Sequence, residues 1–272
     1  MKLTDAPFFQ SFIRICDDAY LKGWHERNGG NLTYRMKPEE VEAVKSEFRQ
    51  PENWVPTEVS VPNLAGEYFL VTGSGKYLRN VSLDPEENSC IAVVDEKGEN
   101  YRIVWGMPKG GRPTSEFPTH LLNLSIKKDL TDGRHRVIYH PHPTNAIALT
   151  FVLPLEDRVF SRQLWTAMNE CSFIFPEGVG VIPWMIPGGR TIALATAEKM
   201  KEFNVVFWPH HGIFCSGADF DDVFGLTDAV EKSAEVSMKV LAAGGRKNEI
   251  PTAGIRNMAK ECNLPLRVEF LD

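Results

Sequence analysis

Apolar residues recur along the chain in patterns typical of both helices and buried strands. Residues 8–23 place apolar side chains at mixed three- and four-residue steps, which predicts a helix packed on a core. Residues 68–72 form a short apolar run that Gly73-Ser74-Gly75 closes, which predicts a buried strand. The same criteria predict further strands at 90–95, 101–105, 136–140, 171–175 and 204–208. They predict helices at 117–127, 144–153, 191–201 and 220–241.

The predicted strands and helices are interspersed along the whole chain, which is typical of an α/β protein. Residues 37–63 are polar and contain four prolines, and they predict a surface helix with loops. The sequence contains no repeat, low-complexity linker or change of composition. We therefore expect residues 1–272 to form a single α/β domain, a length that can bury a large core.

Composition excludes several classes of protein. Apolar residues make up 43% of the 272 residues and charged residues 24%, which is typical of a soluble globular protein. The formal net charge of −6 argues against nucleic acid as the main partner. The five cysteines are scattered without Cys-x-x-Cys spacing, and neither a signal peptide nor a membrane-spanning run is apparent. We expect a soluble cytoplasmic protein without a membrane span.

Two histidines, His140 and His142, lie one residue apart, and each precedes a proline. Side chains alternate along a strand, so both would project to the same side, with α-carbons about 6–7 Å apart. A residue before proline is steered toward extended conformations, which favours this arrangement over the alternative of a simple proline-rich turn. A catalytic zinc site needs a third protein ligand. The pair His210-His211, at the end of another apolar strand, is the best candidate to supply it.

The remaining histidines show no such pattern. His25-Glu26 begins like a zinc-protease helix, but position 29 is glycine where that motif needs a second histidine. His120 and His135 have no partner in the sequence, and we expect them to be surface or core residues.

Three short stretches are rich in glycine, hydroxyl and amide groups, namely residues 28–33, 72–76 and 114–116. Such groups bind phosphate oxygens through backbone N–H groups and short side chains, although each stretch taken singly is more often a turn. The stretch Gly73-Ser74-Gly75-Lys76 is not a P-loop, because Tyr77 stands where that motif needs Ser or Thr. It is not a dinucleotide fingerprint, because Leu78 stands where that motif needs its last glycine.

Glu116 ends the third stretch and precedes the helix predicted at 117–127. One interpretation is structural, since an acidic residue at a helix start compensates the helix dipole. The other is catalytic, because a glutamate beside a metal site can serve as a general base.

Taken together, these stretches resemble the class II sugar-phosphate aldolases. The resemblance extends from about residue 8 to 241, and its motifs occur in the family's order at 23–33, 71–76, 113–116, 140–145 and 208–212. Residues 160–165 and 169–171 resemble one ketose-1-phosphate aldolase of the family in particular. The fold implied is a central, mainly antiparallel sheet flanked by helices in three layers, and the assembly implied is a cyclic homotetramer.

The resemblance also implies roles for individual residues. Zn²⁺ would be held by His140, His142 and His211, with His210 outside the ligand set. Glu116 would be the catalytic acid/base, and Glu170 a second carboxylate that enters the site of a neighbouring subunit. The residues implied in binding the substrate, chiefly its phosphate, are Asn28, Gly30, Asn31, Ser74, Gly75, Thr114 and Ser115.

The activity implied is that of a zinc-dependent lyase without an organic cofactor, which cleaves a ketose 1-phosphate reversibly. The same site could instead serve a fuculose-phosphate aldolase, a ribulose-phosphate 4-epimerase or a sugar-phosphate dehydratase. A non-catalytic interaction domain like the adducin head is a further alternative. That alternative is disfavoured because all three histidines and Glu116 are present, whereas the adducin head lacks the metal residues.

Overall fold

A mixed β-sheet runs through the middle of the computed structural model, which describes residues 2–51 and 53–272. The spatial order of its nine described strands is β2-β5-β4-β3-β1-β6-β9-β8-β7. Neighbouring strands are antiparallel except β7 and β8. In chain order the strands are β1 (Asn31–Arg35), β2 (Val55–Pro56), β3 (Tyr68–Thr72), β4 (Ser89–Val94), β5 (Asn100–Gly106), β6 (Val137–His140), β7 (Gly180–Val181), β8 (Val205–Trp208) and β9 (Gly212–Gly217).

Helices cover both faces of the sheet. In chain order they are α1 (Pro7–Leu21), α2 (Pro38–Val44), α3 (Pro85–Asn88), α4 (Phe117–Leu130), α5 (Thr144–Val152), α6 (Asp157–Ala167), α7 (Cys171–Ile174), α8 (Arg190–Met200), α9 (Phe220–Ala242) and α10 (Thr252–Glu261). Among the described residues, none of these helices is long and apolar enough to cross a membrane.

Successive residues of the central strands pack on opposite faces, which creates three layers. In β3, Leu70 joins the core beneath α1 and the start of α9, whereas Phe69 and Val71 join the core beneath α4 and α8. In β8, Phe207 packs with α5, α6 and α9, whereas Val206 packs with α4 and α8. Because both faces are covered, the strands are almost continuously apolar. The predicted α/β architecture, with a mainly antiparallel sheet between helical layers, is confirmed.

The sequence patterns located most elements, and one prediction was wrong. Residues 171–175 form no strand: Cys171–Ile174 is the short helix α7, in which the Phe173 and Ile174 N–H groups donate to the Glu170 carbonyl. A short apolar run has no periodicity that separates a strand from one helical turn. Four described strands were not predicted, β1, β2, β7 and β9. Strand β1 was missed because Asn31, Thr33 and Arg35 are polar although buried. The single-domain prediction for residues 1–272 stays a prediction.

One edge of the sheet gathers the residues that the motifs single out. Strand β1 begins where β6 ends, because the antiparallel register pairs Asn31 with His140. Strand β8 ends and β9 begins at the same edge, where Trp208 pairs with Gly212. Helix α4 also begins there, since the backbone N–H of Thr114 donates to the Thr72 carbonyl at the end of β3. Residues far apart in the chain therefore meet at this edge.

Candidate metal centre and active site

Three histidine side chains converge at this edge of the sheet. His140 is the last residue of β6, His142 follows two residues later, and His211 lies in the tight turn between β8 and β9. Their candidate ligand atoms all lie within 4.8 Å of one another, and the Nε2 atoms of His140 and His142 are 3.4 Å apart. The predicted projection of His140 and His142 to the same side therefore agrees with the structure.

The donor set fits a divalent transition-metal ion. His140 donates through Nδ1 to the Ile213 carbonyl (2.8 Å), and His142 donates through Nδ1 to Glu26 Oε1 (2.7 Å), so both Nε2 atoms are left with lone pairs. Burial lowers the pKa of His140 well below its ordinary value, and it lowers the pKa of His211 to about 4. His211 Nδ1 is buried without a hydrogen-bond partner. Converging imidazole nitrogens of this kind are the ligands that zinc-like ions prefer.

Glu116 faces these histidines. It is 7% exposed, and its Oε2 lies 3.6 Å from His140 Nε2 and accepts a 2.7 Å hydrogen bond from Asn31 Nδ2. Burial raises the pKa of Glu116 to about 7, although the Asn31 hydrogen bond opposes the rise. The side chain makes no capping hydrogen bond to α4. The Glu116 side chain therefore faces the histidines and does not cap α4, and its catalytic role stays a prediction.

The three polar loops lie together around this group. The segment 28–31 packs directly on the histidines, since a Cβ at Gly30 would lie 2.6 Å from the His140 carbonyl oxygen. Gly30 also has a φ of +71°, which favours glycine. The Ser74 N–H donates to the Arg112 carbonyl (3.0 Å), which joins the second loop to the segment before the third. Of the predicted substrate-binding residues, three are exposed, two are half-buried and two are buried, in the order Asn28, Gly75, Ser115; Gly30, Ser74; Asn31, Thr114. Their contact with a ligand stays a prediction.

The sequence model described as Class II Aldolase and Adducin N-terminal domain matches residues 10–238. The chain belongs to this family. Among curated relatives, rhamnulose-1-phosphate aldolase of Klebsiella pneumoniae subsp. pneumoniae is 46% identical over 270 residues, which cover 99% of this chain and 98% of that one. The protein of the same name from Mannheimia succiniciproducens is 46% identical and is matched over 95% of each chain. The predicted family resemblance is confirmed. The similarity to the rhamnulose member in particular had been predicted from residues 160–165 and 169–171.

A solved structure agrees with these relatives. The sugar-phosphate aldolase from Thermotoga maritima superposes with a TM-score of 0.71 at 26% sequence identity. The superposition covers 87% of this chain and 97% of that one. This class II aldolase chain therefore shares both the fold and most of its length with an aldolase of known structure.

Two predicted site residues of this class II aldolase, Glu170 and Asn31, differ in their surroundings. Glu170 is exposed in the turn before α7, and within the described part of the chain no hydrogen bond or ion pair connects it to the three histidines. Its predicted role in a neighbouring subunit stays a prediction. The Asn31 side chain forms hydrogen bonds with Glu116 and His120, so the structure places it beside the predicted acid/base. Its predicted phosphate contact also stays a prediction.

Sequence patterns missed three residues that surround the site. Glu26 bonds the ligand candidate His142. Buried His25 donates through Nδ1 to the Gly29 carbonyl (3.0 Å) and accepts from the Tyr139 hydroxyl (2.8 Å), which ties the 28–31 loop to β6. His120 bonds Asn31. One local signal was available: His120 lies four residues after Glu116, about one helical turn beyond the residue that precedes α4.

Proposed function

We infer that this chain is a lyase that cleaves L-rhamnulose 1-phosphate reversibly into dihydroxyacetone phosphate and L-lactaldehyde. The observation that carries the proposal is the convergence of three histidine ligand atoms within 4.8 Å, with the Glu116 carboxylate 3.6 Å from one of them. Nearly full-length relatives named rhamnulose-1-phosphate aldolase, at 46% identity, support the choice of sugar.

His140, His142 and His211 would hold the metal, which we propose to be Zn²⁺ because imidazole donors suit this borderline-soft ion. When bound, Zn²⁺ would supply Lewis-acid chemistry by polarising the ketone and drawing electrons from the breaking bond. The histidines are held in place by their other ring nitrogens, through the bonds to Ile213 and Glu26. Such partners fix the orientation of a ligand before the metal arrives.

Glu116 would handle the proton on carbon. Cleavage breaks the C3–C4 bond of the ketose: the C4 hydroxyl releases its proton to solvent and becomes the aldehyde, while C3 keeps the bonding electrons and then takes a proton from Glu116, which solvent protonates again. The buried Glu116 carboxyl, with a pKa raised to about 7, is suited to donate this proton and to remove it in the reverse direction. Asn31 orients the carboxylate through the 2.7 Å hydrogen bond.

The loops at 28–31, 73–75 and 114–115 would bind the phosphate through N–H, hydroxyl and amide groups. We expect Asn28→Ala and Ser74→Ala each to raise KM more than they lower kcat, because the phosphate lies away from the bond that breaks. Steady-state kinetics on L-rhamnulose 1-phosphate measures this, with Ser82→Ala, an exposed serine outside the three loops, as the control. Unchanged KM values in both loop variants would contradict the placement.

The assay of the purified protein tests the proposed reaction. L-Rhamnulose 1-phosphate should yield dihydroxyacetone phosphate and L-lactaldehyde, and a chelator should abolish the activity until Zn²⁺ is restored. L-Fuculose 1-phosphate and L-ribulose 5-phosphate should react much more slowly. If L-fuculose 1-phosphate or L-ribulose 5-phosphate reacted faster than L-rhamnulose 1-phosphate, the assignment would be wrong. Formation of an epimer instead of the two cleavage products would also contradict it and would favour the 4-epimerase.

We further propose a cytoplasmic homotetramer. The family resemblance supports the tetramer, and the buried free cysteines Cys16, Cys90, Cys171 and Cys215 suit a reducing compartment. Light scattering after size exclusion should give four times the chain mass. A monomer with full activity would contradict both the tetramer and the predicted role of Glu170 in a neighbouring subunit.

A further inference from the structure

His120 is a buried histidine that none of the proposed steps uses. It lies in the first turn of α4, is 0% exposed, and its backbone N–H donates to the Glu116 carbonyl (3.0 Å). Its ring Nε2 forms a hydrogen bond with Asn31 Oδ1, while Asn31 Nδ2 donates to Glu116 Oε2 at 2.7 Å. The three side chains therefore form one chain of hydrogen bonds, from His120 through Asn31 to Glu116.

The surroundings of His120 determine which ring nitrogen carries the proton. Burial lowers the pKa of His120 to about 3, so the ring is neutral and has one N–H group. Nδ1 is buried without a hydrogen-bond partner. A proton there would leave a buried donor unpaired and set the Nε2 lone pair against the Asn31 oxygen, which is unfavourable. The proton therefore belongs on Nε2, and His120 donates to Asn31 Oδ1.

This donation in turn orients the Asn31 amide. With Oδ1 held by His120, the amide N–H group faces Glu116, whereas the flipped amide would place its oxygen against the carboxylate. A donor on the carboxylate favours its charged form and fixes one of its oxygens. Phe214 packs between the two histidines, with ring centroids 5.5 Å from His120 and 4.2 Å from His140, and holds them in place.

We propose that His120 is a positioning residue that acts through Asn31: its Nε2–H group fixes the amide so that Asn31 holds the Glu116 carboxylate beside the three histidines. His120 is fully buried and so does not reach the substrate itself. The inference rests on the proposed function, because it assumes that Glu116 transfers the proton.

Two substitutions at one position test the proposal. His120→Phe keeps a flat ring without a donor, and it should slow the exchange of the C3 proton of dihydroxyacetone phosphate with solvent deuterium by roughly 10- to 100-fold, the usual cost of losing a partner that orients a functional group. KM should change little. His120→Gln places an amide N–H near the position of Nε2 and should recover most of the lost rate. Zinc content by elemental analysis should be unchanged in both variants.

Wild-type exchange in His120→Phe would overturn the proposal, and so would a His120→Gln variant as slow as His120→Phe. Leu124→Ala is the matched control for a merely structural effect, because Leu124 is one turn further along α4, is equally buried and has no side-chain group that could hydrogen-bond Asn31. It should lower the melting temperature and keep the exchange rate. If the exchange rate fell equally in Leu124→Ala and His120→Phe, His120 would contribute only to packing.

A neutron crystal structure supplies a readout that does not depend on the reaction. It should show a deuteron on His120 Nε2 and the Asn31 ND₂ group facing Glu116. A deuteron on Nδ1 alone, or the flipped amide, would refute the positioning role. If the protein failed to cleave L-rhamnulose 1-phosphate, the proposed function would be wrong. The neutron structure would still show how His120, Asn31 and Glu116 are hydrogen-bonded.

Discussion

Glu116→Gln is expected to lower the turnover number by roughly 10²–10⁴, the usual contribution of general acid–base catalysis. Glutamine keeps the shape of the side chain and removes its ability to accept and donate the proton. The variant should fold, assemble and bind Zn²⁺ as the wild type does, because Glu116 accepts one hydrogen bond from Asn31 and does not cap α4. It should also fail to exchange the C3 proton of dihydroxyacetone phosphate with solvent deuterium.

The control for Glu116 is a second glutamate whose carboxyl pKa is also raised by burial. Glu177 accepts a 2.7 Å hydrogen bond from Asn204 Nδ2 and is not among the site residues, so Glu177→Gln should keep wild-type turnover. If Glu116 served only as a charge at a helix start, its replacement would cost about 0.3–1 kcal/mol of stability and leave turnover nearly unchanged. Exchange at the wild-type rate in Glu116→Gln would support the role as a helix-start charge. Glu170 would then be the next carboxylate to test as the base.

Alanine at His140, His142 or His211 should remove the metal and the activity together. Each substitution takes away one of the three proposed ligands, so the fall in metal affinity should exceed the roughly 10- to 100-fold cost of losing a residue that only orients a ligand. His210→Ala should retain the metal, although His210 is the neighbour of His211. The His210 ring packs on Phe151, with centroids 4.1 Å apart, whereas the His211 ring lies 4.9 Å from that of His140.

Elemental analysis after gel filtration, together with competition against a chromogenic chelator, measures these affinities. His135→Ala is the matched control, since His135 bonds Ser216 (3.0 Å) at the opposite end of β6 and should not affect the metal. If His210→Ala lost Zn²⁺ and His211→Ala kept it, the ligand assignment would be wrong. Active wild-type protein without any transition metal would end the metal proposal altogether.

The sequence determined those features that depend on neighbouring residues. The apolar run 68–72 and its closing glycines located β3 at its observed bounds. The two-residue spacing of His140 and His142 placed both rings on one side, because side-chain alternation is a local property of extended chain. The motifs and their order were sufficient to identify the family. The family resemblance then implied His211 rather than His210 as the third ligand candidate.

Only the tertiary structure decided how distant residues act on one another. Asn31 lies 85 residues from Glu116 and 89 from His120, and Glu26 lies 116 residues from His142. These contacts exist because the antiparallel register of β1 and β6 sets Asn31 opposite His140, and a shift of one residue would turn each side chain to the other face. The raised pKa of Glu116 likewise follows from burial beneath several chain segments, which no local pattern in the sequence records.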